Sequence, residues 1–339
     1  MYRRLLAALG GLILAAQAAA FEVESETDFP VAEPSAHLRI LSTADTQFFL
    51  PAIRSFQAAQ PGTAIHYVTA SSTEVSRAIE EGARFDLVVS SAMDLQTKLA
   101  NDGFAMPIET ASAQRVPDWA KWRNSVFAFT QEPATLVISA SAFKGLPLPA
   151  SRQDLIETLR AYPDRFERRI GTYDIRGSGL GYLFATQDSR TSETFWRLTE
   201  IIGALSPRLY CCSSDMIDDV SNGTIAFAYN VLGSYARARR VSDPGLIIIE
   251  PSDYTSTMQR SILVLRDAEA PEAAIRFVDH LLGETWDSSG EMRDVLTLPA
   301  SAEISSNRKP IRLGPGLLVF LDQLKRAKFL EAWENAVVQ

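Results

Sequence analysis

The chain has 339 residues, 46% of them hydrophobic and 22% charged, and a formal net charge of −8. Since a single core rarely grows beyond about 250–300 residues, this length predicts two lobes. The acidic balance offers no basic surface to neutralise phosphates, which argues against a nucleic-acid partner.

The first residues are typical of a secretory signal peptide. Arg3 and Arg4 precede an uncharged apolar run, and Ala18-Ala19-Ala20 fits the small-residue rule for cleavage before Phe21. A membrane anchor is the alternative, but a helix of this run would span only about 24 Å of a hydrocarbon core of about 30 Å. We expect cleavage of residues 1–20 and a soluble, periplasmic product.

Apolar strands alternate with helices along the rest of the chain, which is typical of doubly wound α/β sheets. Strands are predicted at 38–41, 64–68, 85–89, 126–130, 135–139, 170–173, 224–229, 246–250 and 261–265. Helices are predicted at 46–59, 73–81, 93–100, 151–160, 178–186, 192–205, 214–220, 271–282 and 317–336. The runs 126–130 and 135–139 are long enough to cross between lobes.

We therefore expect two doubly wound α/β lobes joined by a hinge, with a ligand cleft between them. Residues 37–130 and 252–339 are assigned to lobe 1, and residues 131–251 to lobe 2. Residues 21–36 are rich in acid and proline with little apolar pattern, which predicts a loose N-terminal arm.

The two cysteines, Cys211 and Cys212, are adjacent. In an oxidising compartment they could close a strained vicinal disulfide, or they could be two small, half-buried thiols. The histidines His37, His66 and His280 are widely scattered, so no metal site and no cofactor are predicted.

Hydroxyl-bearing and acidic residues follow three consecutive predicted strands of the first lobe. In open α/β sheets, ligands bind at the carboxyl ends of the strands. Such residues also cap their own helices, which is the alternative for each of them. The candidates are Thr43, Asp45, Thr46, Ser71, Ser72, Ser90 and Ser91.

A glycine-rich joint between Tyr173 and Tyr182 gives the sharpest anion-binding pattern. Arg176, Gly177, Ser178 and Gly179 combine a guanidinium with unpaired N–H groups at a helix start, a combination that favours an anion. The spacing matches neither a P-loop nor a dinucleotide fingerprint. We expect this joint to hold the anionic end of the ligand, although an ordinary turn with a surface arginine is the alternative.

A third candidate group follows the strand at 224–229. Tyr229 and Asn230 could form a wall of a small-ligand site, or they could belong to a half-buried core. No Gly-x-Ser-x-Gly or His-Glu-x-x-His pattern occurs, so no enzyme is expected.

The joint Ser42-Thr43-Ala44-Asp45-Thr46, the mid-chain crossover and the run from Asn222 to Asn230 resemble type II periplasmic solute-binding proteins of bacterial ABC transporters. The similarity covers about residues 37–300. Within that family the chain is similar to the branch of ferric-ion binders, hexose-phosphate binders and phosphoglycerate-transport regulatory proteins. The resemblance implies a monomer that delivers a solute to an ABC permease.

The resemblance also bears on the ligand and on the partner. Tyr229 and Tyr235 lie six residues apart, so the adjacent tyrosine pair of the ferric binders is not reproduced. With the glycine-rich joint kept, this favours a phosphorylated or carboxylated organic anion. The runs 172–176 and 209–212 resemble a subgroup thought to serve a sensor kinase. The alternative function is therefore a periplasmic sensor subunit that regulates a two-component histidine kinase.

Overall fold

The computed structural model describes residues 21–287 and 307–338. The expected signal peptide, residues 1–20, lies outside the described residues. Within the described residues, no helix is both long and apolar enough to cross a membrane.

The described residues form strands and helices in an order close to the predicted one. The strands are β1 (Ser25–Phe29), β2 (Ala36–Ser42), β3 (Thr63–Thr69), β4 (Leu87–Ser90), β5 (Lys121–Trp122), β6 (Val126–Ala128), β7 (Glu132–Ser139), β8 (Ile170–Tyr173), β9 (Arg208–Tyr210), β10 (Phe227–Leu232), β11 (Leu246–Ile249), β12 (Thr255–Met258), β13 (Ser261–Val264) and β14 (Arg308–Pro310). The α-helices are α1 (Thr46–Ala59), α2 (Ser72–Glu80), α3 (Met93–Asn101), α4 (Ala111–Arg115), α5 (Arg152–Ala161), α6 (Pro163–Phe166), α7 (Gly179–Thr191), α8 (Thr194–Ala204), α9 (Ser213–Ser221), α10 (Gly233–Ser242), α11 (Pro271–Trp286) and α12 (Gln323–Val337).

Each lobe is built on one mixed sheet. The first sheet has the order β1-β3-β2-β4-β13-β6-β5, with β2 parallel to β3 and β4. The second has the order β14-β12-β7-β10-β8-β9, and β11 also pairs with β7. Helices pack on these sheets through buried apolar residues, as expected for the predicted α/β class.

Local capping accounts for several helix starts. The Ser151 side chain accepts from the Asp154 N–H, and the Asp154 side chain accepts from the Ser151 N–H, which is a capping box at the start of α5. The Ser71 hydroxyl likewise accepts from the Glu74 N–H at the start of α2. The Glu74 carboxylate accepts hydrogen bonds from the Glu22 N–H and from the Arg77 guanidinium.

Within residues 21–287 and 307–338, two short connections between the lobes are described. Residues 129–131 lead from β6 to β7, and residues 259–260 lead back from β12 to β13. The connections are hydrogen-bonded to each other: the Phe129 N–H donates to the Arg260 carbonyl at 2.9 Å, and the Arg260 N–H donates to Thr130 Oγ1 at 2.8 Å. The two lobes therefore share one hinge.

The N-terminal segment differs from the expected loose arm. Ser25–Phe29 forms β1, an antiparallel edge strand on β3. An edge strand pairs through its backbone and can keep one polar face in water, so its lack of an apolar pattern concealed it.

The end of the chain also differs from the expected division into lobes. Strands β12 and β14 belong to the second sheet, and α12 packs against α8. Thr257 and Met258 pair with Pro133 and Glu132 of β7, so the chain returns to the first lobe only at β13. Helix α11 then packs on the first lobe, as predicted.

The contact between α8 and α12 depends on Gly203. A Cβ atom at this position would overlap the carbonyl of Ala336 and come within 2.9 Å of Val337 Cα. We expect Gly203→Ala to lower the free energy of unfolding by about 1–3 kcal/mol, the usual range for overpacking. Urea denaturation measures this, with Gly316→Ala as the control because no atom lies within 4 Å of its added Cβ. Equal stability of the two variants would contradict the close packing.

Candidate solute-binding cleft

A cavity of about 430 Å³ lies between the two lobes. The first lobe contributes the segments that follow β2, β3 and β4, and the second lobe contributes the segments before α7 and α9. Among the candidates from the sequence, the cavity is lined by Thr43, Asp45, Ser71, Ser72, Ser91 and Ser178.

Two candidates of the first lobe lie beside the cavity without lining it. Ser90 is buried, and its hydroxyl accepts from the Ala92 N–H at 3.1 Å, so it serves the start of α3. Thr46 lines a neighbouring surface depression together with Phe48 and Tyr235.

Arg176 does not line the cleft cavity. Its guanidinium donates to both carboxylate oxygens of Asp174 at 2.6 and 2.7 Å, and it lies 3.7 Å from Glu334. The side chain borders a second cavity, of about 340 Å³, outside the cleft cavity. In the structure the expected anion-binding arginine is therefore a partly exposed, ion-paired residue.

The glycine turn brings the lobes together. The Gly177 carbonyl accepts from Thr73 Oγ1 of the first lobe at 2.8 Å. A Cβ on Gly179 would lie 2.7 Å from Ser72 Oγ and 2.9 Å from Leu95 Cδ1, both in the first lobe. Glycine is needed at 179 because the facing lobe approaches so closely.

Tyr229 and Asn230 belong to the core of the second lobe. Both donate to the buried carboxylate of Asp188, at 3.1 and 2.8 Å. Tyr229 also accepts from Arg152 Nε at 2.7 Å. The core alternative of the sequence analysis thus describes their contacts, and neither residue lines the cleft cavity.

Arg260 is a cleft residue that no sequence pattern marked. It lies on the hinge, lines the cavity and is 1% exposed. Its Nε donates to the buried Glu132 carboxylate at 3.2 Å, whereas its two terminal nitrogens, Nη1 and Nη2, have no hydrogen-bond partner. Leaving buried charged donors unpaired is costly, so these two nitrogens are suited to an anionic ligand.

The surroundings of Arg260 keep it charged and in place. Burial alone would lower the pKa of its guanidinium, but Glu132, Tyr235 and Tyr67 raise that pKa above the ordinary value. The guanidinium also lies over the Phe48 ring, 4.8 Å from its centroid. No motif surrounds Arg260 in the sequence, so only its position at the hinge reveals it.

Helix N-termini from both lobes converge on the same cavity. The residues preceding or opening α1, α2, α7 and α9 all line it: Asp45, Ser71, Ser178 and Cys212. The N-terminus of α9 has no side-chain cap. Unpaired N–H groups and the positive ends of helix dipoles add to the anion-attracting charge of Arg260.

The outer part of the cavity carries the opposite charge. Four exposed carboxylates line it, and we call them the acidic mouth: Glu22, Glu24, Asp45 and Asp215. Desolvation, followed by repulsion from Asp45, Asp215 and Glu22, raises the pKa of the Glu24 carboxyl. Beside them Tyr235 stacks on Phe48 and accepts from the Asp45 N–H at 3.3 Å.

Cys211 and Cys212 form a disulfide and also line the cavity. Across residues 21–287 and 307–338, the one cluster with three potential metal ligands consists of these two cysteines and Asp215. Because sulfur atoms in a disulfide are not thiolates, this cluster does not provide a thiolate metal site.

The two lobes, the hinge and the intervening cleft define a type II periplasmic binding-protein fold. A family model for bacterial extracellular solute-binding proteins matches residues 38–287. The chain belongs to this family, which consists of binding proteins rather than enzymes. No curated protein sequence matches the chain.

Solved structures share the fold. The substrate-binding protein of an ABC transporter from Agrobacterium tumefaciens is 32% identical, with a TM-score of 0.87 over 94% of this chain and 100% of that one. AfuA from Actinobacillus pleuropneumoniae, with fructose-6-phosphate bound, is 14% identical, with a TM-score of 0.71 over 90% and 99%. Iron-bound HitA from Pseudomonas aeruginosa is 16% identical, with a TM-score of 0.66 over 91% and 99%.

The close approach at Gly179 predicts a specific defect in lobe closure. Gly179→Val should hold Ser72 and Leu95 away, so that the protein saturated with its solute keeps a larger radius of gyration than the parent and binds about tenfold more weakly. Small-angle scattering and calorimetry measure the two effects. Gly177→Ala is the control, because its added Cβ would meet no atom within 4 Å. A parent-like radius in Gly179→Val would show that the turn does not limit closure.

Proposed function

We propose that the protein captures a small organic solute with a phosphate or carboxylate group in the cleft and delivers it to the permease of an ABC transporter in the periplasm. The observation that carries this proposal is the pair of unpartnered terminal nitrogens on buried Arg260. Planar guanidinium donors match the oxygen spacing of carboxylate and phosphate.

The environment of Arg260 supports an ionic ligand over a neutral one. Glu132 accepts the hydrogen bond from Arg260 Nε, so Nη1 and Nη2 remain available to a ligand in the cavity. The hydroxyls of Ser72, Ser91 and Ser213 lie in the same cavity and can donate to further ligand oxygens. A directed positive charge and further hydrogen-bond donors thus line one cavity.

Delivery to a permease is supported by the Agrobacterium tumefaciens protein, which is described as the substrate-binding protein of an ABC transporter. The more distant neighbours hold a sugar phosphate in one case and iron in the other, and their identities of 14% and 16% speak only for the fold. The ligand class therefore rests on the cleft of this chain. The histidine-kinase partner considered from the sequence stays a prediction.

A thermal-shift screen identifies the ligand class. Organic phosphates, di- and tricarboxylates, neutral sugars and ferric ion are compared at equal concentration. A solute present at a hundredfold its Kd should stabilise the folded protein by about 2.7 kcal/mol. Stabilisation by neutral sugars alone would contradict the anion site.

Substitution of the two arginines separates the cleft from the glycine-rich joint. Arg260→Lys keeps a positive charge beside Glu132 but loses the paired terminal donors, so we expect binding of the selected anion to weaken by about 1–3 kcal/mol. Arg176→Ala should bind like the parent, because Arg176 lies outside the cleft cavity. Isothermal titration calorimetry measures both affinities, and thermal unfolding confirms that each variant folds. The reverse pattern would place the anion at the glycine-rich joint.

A further inference from the structure

The charges that line the cleft cavity do not balance. Arg260 is the sole cationic side chain of its lining, against the four carboxylates of the acidic mouth. Within the described part of the chain, none of those four carboxylates forms a salt bridge, whereas Arg260 is already paired with Glu132. The four carboxylates would repel a solute that carries only negative charge, and they oppose the attraction of Arg260 and the helix N-termini.

The two signs of charge also lie at different depths. Arg260 is buried, as are Ser72, Ser91 and Ser213 elsewhere in the cavity lining. The mouth carboxylates are exposed, and they come from both lobes: Glu22, Glu24 and Asp45 from the first lobe and Asp215 from the second. The cavity lining thus combines a buried positive group with exposed negative groups.

We propose that the solute is amphoteric: its acid group meets Arg260, and a cationic, ammonium-type group at its other end faces the acidic mouth. This inference rests on the proposed function and narrows its ligand class from organic anions to those that also carry an amine. The cavity volume of about 430 Å³ suits one small molecule with both groups.

A metal ion is a less suitable partner for the acidic mouth. A bound cation of this kind needs several ligand atoms close together. In residues 21–287 and 307–338, the one group of three candidate ligand atoms within 4.8 Å of one another includes both disulfide-bonded cysteines, and it contains one mouth carboxylate, Asp215. Spread carboxylates match an ammonium group, which is attracted by charge without a fixed coordination geometry.

Matched solute pairs test the inference directly. Each pair keeps the acid group and exchanges an amine for a hydroxyl: 2-aminoethyl phosphate against 2-hydroxyethyl phosphate, and 4-aminobutanoate against 4-hydroxybutanoate. In calorimetry at low salt, we expect the amine of at least one pair to bind about tenfold more tightly than its hydroxyl partner. Equal or tighter binding of the hydroxyl solutes would overturn the amphoteric ligand and leave the anion proposal standing.

Variants of the acidic mouth then locate the effect. Glu24→Gln combined with Asp45→Asn should reduce the preference for the amine about fivefold while leaving affinity for the hydroxyl solute unchanged or higher. Glu26→Gln is the matched control, because Glu26 is an exposed glutamate on β1 that does not line the cavity. An unchanged preference in the double variant would overturn the role of the mouth.

Two further outcomes separate this inference from the proposed function. If no phosphate or carboxylate binds and Arg260→Lys changes nothing, the proposed function itself fails. If ferric ion or a divalent cation alone binds tightly and the double variant abolishes that binding, the carboxylates serve a metal and the amphoteric ligand is wrong.

Discussion

The buried ion pair between Arg260 and Glu132 lies beside the two hydrogen-bonded connections, residues 129–131 and 259–260. Burying two charges costs several kcal/mol per ion unless hydrogen bonds satisfy them. Here Thr130 donates to one Glu132 oxygen at 3.1 Å, and Ser234 donates to the other. The same Thr130 hydroxyl accepts from the Arg260 backbone, which fixes the second connection to the first. The hinge and the charge that we propose binds the solute are therefore one structure.

This arrangement gives the cleft a physical basis for coupling binding to closure. A ligand can shift the balance between open and closed lobes only through contacts that differ between the two states. Arg260 offers a solute contact at the hinge in the proposed function, while the Thr73 hydroxyl donates to the Gly177 carbonyl of the other lobe. The Tyr235 hydroxyl also accepts a hydrogen bond from the Asp45 N–H of the facing lobe. Solute and lobe contacts thus act on the same motion.

Sequence patterns predicted the fold well, because the spacing of apolar residues in each strand and helix reflects which of its side chains are buried. They also identified six cleft residues, since hydroxyls such as Ser71 and Ser178 mark strand-to-helix joints. Arg176, the arginine that the local pattern favoured, has a carboxylate two residues away in Asp174, and in the structure its guanidinium pairs with that carboxylate. Arg260 becomes a site residue only through contacts with Glu132, 128 positions earlier, which no local pattern contains.

The N-terminal edge strand has a practical consequence. Hydrogen bonds from the Glu22 N–H to Glu74 and from the Glu24 N–H to the Thr69 carbonyl fix the backbone that presents two of the cleft's carboxylates. A few residues before β1 thus contribute to the electrostatics of a pocket built mainly from distant parts of the chain. Recombinant protein that starts after Glu24 lacks both carboxylates and both hydrogen bonds, even when the two lobes fold. For ligand screening, a tag at the opposite end of the chain leaves this segment intact.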